Sequence, residues 1–238
     1  MSSHVCGNDP GPIVPTQVAV YNARMSDHAS ADGKTKAAQT GASPATLTST
    51  LTGTLSLANH FLIAMPSMAD ERFSDTVVYL LEHTPERAMG VVINRPTDLT
   101  LEKLFERVEM KLEIALLGAQ PVCYGGPIAT DRGFVLHDQA DANYGSTLTA
   151  EDGLSVTTSK DVLEAIAEGR GPRHVMVALG YAGWSGGQLE SEIAQNAWLT
   201  VRADPSVVFE VPHAHRRASA MQLLGFDPMM LSGDAGHA

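Results

Sequence analysis

Cysteine is nearly missing from this chain: Cys6 and Cys123 are the two in 238 residues. Such a pair makes neither a disulfide framework nor a zinc cluster. Positive charge is also short. Sixteen Lys and Arg face 27 Asp and Glu, for a formal net charge of −11. Residues 1–53 hold three charges of each sign, so the whole acidic excess falls after them. An acidic domain repels phosphate backbones unless its cations gather on one face. The densest basic pair is Arg216-Arg217, so autonomous nucleic-acid binding is disfavoured. No apolar run is long enough to span a bilayer. The N-terminus lacks the basic start and apolar core of a signal peptide. His-Glu-x-x-His, Cys-x-x-Cys, the P-loop, the dinucleotide fingerprint and the Gly-x-Ser-x-Gly elbow are missing too. No metal, cofactor or catalytic residue is assigned. The expectation is a soluble protein of a reducing cytoplasm.

Residues 1–53 are rich in Ser, Thr, Ala, Gly and Pro. Such a segment cannot bury enough apolar surface to offset its ordering entropy, so disorder is expected there. Met25 is an alternative start. A domain is expected over residues 54–238. Phe61–Met65 reads as a buried strand stopped by Pro66. Thr76–Glu82 and Ala88–Asn94 read as an antiparallel pair joined by His83–Arg87. Leu101–Val108 has helical spacing, with Asp98 or Thr100 as its cap. Pro121–Tyr124, Phe134–His137 and Leu154–Thr158 are short strands. A helix follows the cap signal Thr158-Ser-Lys-Asp161. Trp198–Arg202 and Val207–Val211 alternate like strands about an Asp204-Pro205 turn, and a last helix runs from Ala214 to Leu224. With no regular strand–helix alternation, the physical reading is α+β: one domain with a mixed sheet flanked by helices.

The chain is organised around Gly180-Tyr-Ala-Gly-Trp-Ser-Gly-Gly-Gln-Leu-Glu190, which reads as strand, glycine turn and helix start. Ser185 can cap the helix while Gln188 reaches back to the Ser185 amide, a capping box. The Gly183–Gly187 turn can instead hold an anion at the helix start. Glu190 and Glu192 point in different directions on a helix and read as solvated surface, with Glu190 near enough to meet the glycine turn. His83 and His137 can face one pocket as proton shuttles or serve as hydrogen-bonding loop residues. Asn94-Arg95-Pro96 ends a strand. Arg95 can clamp a carboxylate or phosphate, or pair with Glu82 or Asp98. Cys123 reads as a buried structural thiol. The candidate ligand site therefore gathers His83, Asn94, Arg95, His137, Trp184, Ser185, Gln188 and Glu190.

Taken together, these motifs resemble the YqgE/AlgH family of bacterial proteins. The residues that carry the resemblance are Phe61-Leu-Ile-Ala-Met-Pro66, Asp70 with Phe73, Glu82-His83 and Gly90-Val-Val-Ile-Asn-Arg-Pro96. Gly125-Gly-Pro127, Gly133-Phe-Val-Leu-His137, the Gly180–Glu190 stretch and Asn196-Ala-Trp198 continue it, and Leu224-Gly-Phe-Asp-Pro228 and Gly236-His-Ala238 close it. The resemblance implies a single domain with a mixed, partly barrel-like sheet surrounded by helices, in a cytosolic bacterial protein. It implies no known reaction. It brings a transcriptional-regulator label, through a link to alginate production in one lineage, that no DNA-binding motif here supports. Two departures stand out: the long N-terminal extension, and His213-Ala-His-Arg-Arg217 where relatives often carry an aromatic residue. Two functional classes follow. One is a non-enzymatic regulatory or interaction protein acting through a protein partner or a small ligand. The other is a small-molecule hydrolase or ligand-binding enzyme with a site near His83, Arg95, His137 and the glycine turn.

Overall fold

Three consecutive strands set the plan: β1 (His60–Ala64), β2 (Val77–Thr84) and β3 (Arg87–Val92). The computed structural model describes residues 56–138, 143–150 and 152–225. The expectations for residues 1–53, for the Met25 start and for the motifs after residue 225 lie outside the described residues. In β1 and β2, Phe61, Ile63, Val77 and Tyr79 enter one core cluster. Their neighbours Leu62, Ala64, Val78 and Leu80 enter another. Both faces are covered, so these strands read as unbroken apolar runs. The β2–β3 pair forms as expected, but its connection shrinks to Pro85-Glu86 because Thr84 still pairs with Arg87. The register slips between Leu80 and Glu82, a bulge that adds local twist.

The chain continues through β4 (Pro96–Thr100), α1 (Leu101–Arg107), α2 (Ala115–Gly118), β5 (Pro121–Tyr124) and β6 (Ile128–Asp138). Then come β7 (Thr147–Thr149), β8 (Leu154–Thr157), α3 (Lys160–Ala167) and β9 (Val175–Ser185). Last are α4 (Gln188–Ala194), β10 (Trp198–Arg202), α5 (Pro205–Phe209), a 3-10 turn (His213–His215) and α6 (Arg216–Gln222). Thr100 caps α1 by accepting from the Lys103 amide. At α3 the cap signal works differently. Ser159 Oγ donates to Asp161 and accepts from the Ser146 amide, and Asp161 accepts from the Val162 amide.

The strands form one mixed sheet in the order β10-β1-β2-β3-β9-β6-β8-β7, with β5 added to β9 and β4 to β5. Every ladder is antiparallel except β5–β9. The sheet curls into a half-barrel. Its concave side gathers residues from β1, β2, β3, β5, β6, β8 and β9, closed by Val207 and Val208 of α5 and Ala220 and Met221 of α6. Leu189 of α4 joins the cluster on the outer face of β1–β3. Phe105 of α1 and Ile166 of α3 cover the outer face near β5, β6 and β9. The architecture is α+β, a partly barrel-like sheet surrounded by helices.

Two expectations are corrected. Val207–Val211 is not a strand: Pro205–Phe209 is helical. Asp204 accepts from the Ser206 amide and Pro205 occupies the first turn, so Asp-Pro is a helix start here. Val-Val-Phe-Glu-Val is too short for its pattern to decide between strand and helix. The glycine-rich segment is also not a turn through most of its length, because β9 runs unbroken from Val175 to Ser185. Gly180 has φ +78°, and a Cβ there would lie 2.4 Å from the Gly126 carbonyl oxygen. Before it, Met176 and Ala178 enter the concave core. After it, Tyr181 packs on that core, while Ala182 and Trp184 enter the β1–β3 outer layer. One left-handed residue thus shifts the alternation and carries β9 from one layer to another. The turn is confined to Gly186-Gly187, where Gly187, at φ +74°, precedes α4.

Candidate functional site

The eight sequence candidates divide among separate places. His83 lies near the end of β2 with its side chain 4% exposed. Its Nδ1 accepts from the Leu57 amide at 3.0 Å, so Nε2 carries the proton and donates to Glu190 Oε1 at 3.1 Å. Glu190 stands in the first turn of α4, and the pair ties the hairpin to that helix.

Trp184, Ser185 and Gln188 meet around a residue outside the candidate set. The Trp184 and Trp198 indoles both donate to Glu192 Oε2, at 2.9 and 2.8 Å, and Gln188 Nε2 donates to Oε1 at 2.9 Å. The indoles are 5% and 3% exposed and pack edge to face. Reading Glu192 as solvated surface is therefore corrected. The available signal was the need of each buried Trp N–H for an acceptor, with Glu192 lying between the two tryptophans in sequence. Glu190 too is bonded, to His83. The capping box forms only in half. Gln188 Oε1 accepts from the Ser185 amide at 3.1 Å, but Ser185 Oγ donates to that same oxygen and caps no amide of α4. With β9 running through Ser185, the helix begins two residues too late for its hydroxyl to reach the first turn.

Asn94 and Arg95 are held by backbone. Asn94 accepts from the Val77 amide and donates to the Asp75 carbonyl, both at 2.8 Å. Arg95 donates to the carbonyls of Arg72, Ser74 and Glu71 at 2.6, 2.8 and 3.3 Å. It therefore staples the 71–74 loop, in place of an ion pair with Glu82 or Asp98. Glu82 pairs with Arg87 across the hairpin at 2.8 Å.

His137 is 2% exposed. Its Nδ1 donates to the Asp138 carbonyl at 2.7 Å, which leaves Nε2 to accept from Thr157 Oγ1 at 2.9 Å. Burial pushes its pKa below the usual histidine value, against the Asp138 contacts. His83 pairs with Ala88, which pairs with Trp184, whereas His137 pairs with Val175. At ~3.3 Å per residue, these two positions lie about 30 Å apart along β9. The expected pocket shared by His83 and His137 does not form.

Two clefts flank α5. One, of about 200 Å³, is edged by Asp138, Asp152, His174 and Glu210, with His174 paired to Asp138 at 3.0 Å. Tyr79 donates into the Asp152 carboxylate, and burial followed by that charge raises its pKa. The other, of about 260 Å³, lies beside Met176, Val208, Phe209, His213 and Arg216. Arg216 is 4% exposed. Its Nε donates to the Val211 carbonyl at 3.0 Å, and its Nη1 donates to the Ile93 carbonyl and, at 3.0 Å, to Met176 Sδ. Burial lowers its pKa, while Cys123 beside it acts the other way. Burial drives the Cys123 thiol up to about 11 although Arg216 pulls it down, so the thiol is structural and protonated. Burial and the Arg216 charge push His213 down to about 4. Sequence reasoning noted the His213–Arg217 motif as a departure and missed the cleft. Among the described residues, no three His, Cys, Asp or Glu gather to hold a metal. None of the described helices is long and apolar enough to cross a membrane.

A family model described as AlgH-like (DUF179) matches residues 61–229. A UPF0301 protein of Ralstonia nicotianae is 60% identical over 184 residues, which is 77% of this chain and 96% of that protein. One from Paraburkholderia phymatum is 56% identical over 184 residues, with the same coverage. The solution structure of the AlgH protein from Pseudomonas aeruginosa superposes with a TM-score of 0.65 at 47% identity, covering 78% of this chain and 97% of that one. A crystal structure from Corynebacterium diphtheriae, 22% identical with a TM-score of 0.55, covers 75% of this chain and 91% of its own and shares the fold alone.

Proposed function

The chain belongs to the AlgH-like family, and from that premise we propose that it acts by binding rather than by turnover. It is a regulatory or interaction protein of the cytoplasm, and it does not bind DNA directly. One observation supports this above the rest: each candidate imidazole has both ring nitrogens engaged by the protein itself. His83 holds the Leu57 amide and Glu190. His137 holds the Asp138 carbonyl and Thr157. A general base needs a free lone pair within reach of the proton it takes, and neither ring offers one. Ser185 hydrogen-bonds Gln188 rather than a base, so it is not an activated nucleophile. Arg95 is turned to carbonyls, which leaves the acidic chain no exposed use of it for phosphates.

The test is incubation of the purified full chain with a bacterial metabolite extract, followed over time by mass spectrometry. Binding predicts a stoichiometric ligand or partner released unchanged. Progressive conversion of one metabolite, abolished by His83→Gln or His137→Gln, refutes it. Anisotropy with duplex DNA at physiological salt is expected to stay flat at micromolar protein. A nanomolar, steeply salt-dependent complex refutes the second half of the reading.

A further inference from the structure

We propose that the cleft between α5, α6 and the end of the curled sheet binds a small apolar monocarboxylate, with Arg216 as counter-charge and His213 Nε2 as a second polar contact. The inference names a ligand class for the binding role above. Occupancy is read from spectra and turnover from products, so the two fail separately. Arg216 is the one permanently charged side chain among the buried described residues. Its hydrogen-bond acceptors are two carbonyls and a thioether. No carboxylate among the described residues pairs with it. A guanidinium removed from water without an opposite charge is strongly disfavoured, and an anion in the adjacent cleft supplies that charge.

A second group points the same way. His213 Nε2 is buried without a hydrogen-bond partner and belongs to the same cleft. Buried polar atoms are rarely left so, and a carboxylate oxygen beside Arg216 satisfies it when the ring carries its proton on Nε2. The rest of the lining selects the body of the ligand. Val175, Met176, Val208 and Phe209 are apolar, and Gln120 adds a neutral polar side chain. The volume, about 260 Å³, sits below the range of roughly 300–1,000 Å³ for drug-sized ligands, so the ligand is small. Charge selects its head. His213 stays neutral near pH 7, leaving one cation, and Glu210 stands at the rim. One charge balances a monoanion, whereas the second charge of a phosphate meets Glu210.

The test uses the full chain, 15N-labelled and titrated with isobutyrate, with the neutral isostere isobutyramide and with inorganic phosphate. Saturable isobutyrate shifts are expected at residues 175–176 and 208–216. Removing the charge is worth at least one charge-assisted hydrogen bond, so isobutyramide binds about tenfold or more weaker. Phosphate is also weaker. Arg216→Met abolishes the isobutyrate preference. If that variant does not fold, His213→Phe, in the half-buried 3-10 turn, reports instead and lowers isobutyrate affinity several-fold. Absence of saturation by about 50 mM isobutyrate, equal binding of the amide, tighter binding of phosphate, or unchanged affinity in the folded variants each overturns the proposal.

Discussion

Glu192→Ala is the most informative single change. It removes the shared acceptor of two buried indoles, since both Trp184 and Trp198 donate to Glu192 Oε2. A hydrogen bond to a charged group contributes about 1.5–3 kcal/mol, and leaving a buried donor unpaired costs about 1–3 kcal/mol. With two donors orphaned, the expected loss is about 3–5 kcal/mol. Glu192 is half-buried, so water entering the gap favours the lower end. Alanine's better helix propensity returns a few tenths, roughly. A loss near ~3 kcal/mol is a large share of the ~5–15 kcal/mol typical of a domain. Glu192→Gln keeps an oxygen for both indoles but turns its NH2 toward the Gln188 donor, so it loses the charge and that exposed bond, and about 1–2 kcal/mol is expected. The assay is guanidinium unfolding followed by tryptophan fluorescence. The chain has two tryptophans, both bound to Glu192, so the signal reports this site and the global transition together. An alanine variant within about 0.5 kcal/mol of wild type, or a glutamine variant as damaging as alanine, refutes the reasoning.

Other outcomes follow from the same geometry. Gly187 has φ +74° with open space where a Cβ would stand, so Gly187→Asn is expected to be nearly neutral. Gly187→Val is expected to cost about 1 kcal/mol or more in denaturation; equal costs for the two refute the conformational reading. Ser185→Ala loses only an exposed bond to Gln188, and is expected to shift stability by less than about 0.5 kcal/mol instead of the ~1 kcal/mol of a lost cap. On acidification, His213 binds its proton more readily in the unfolded chain, because its folded pKa is depressed from 6.5 to about 4. Its contribution is full above about pH 6.5 and is lost progressively toward pH 4. His137, also lowered, acts in the same direction. Urea midpoints are expected to fall across that window and to fall less in His213→Phe; identical profiles refute the assignment.

By itself the sequence determined what is local. The β2–β3 hairpin, the Thr100 cap of α1 and the strand that became β10 each depend on residues within a turn or two of one another. Neighbours along the chain supply the periodicity and the caps, so the pattern shows them. The Asp204-Pro205 helix start was equally local and open to reading as a cap. Glycine in β9 was not, because the same freedom of φ serves a turn or a bulged strand. Pairing with β3 and β6 decides between them. Tertiary structure alone decided which polar groups meet. His83 finds Glu190 across 107 positions, and Arg216 finds the Ile93 carbonyl across 123. It also separated His83 from His137 at opposite ends of β9, and it buried Arg216 beside a cleft. Charge and hydrogen-bonding capacity are properties of a residue, whereas partner and burial depend on which layers the curled sheet brings together.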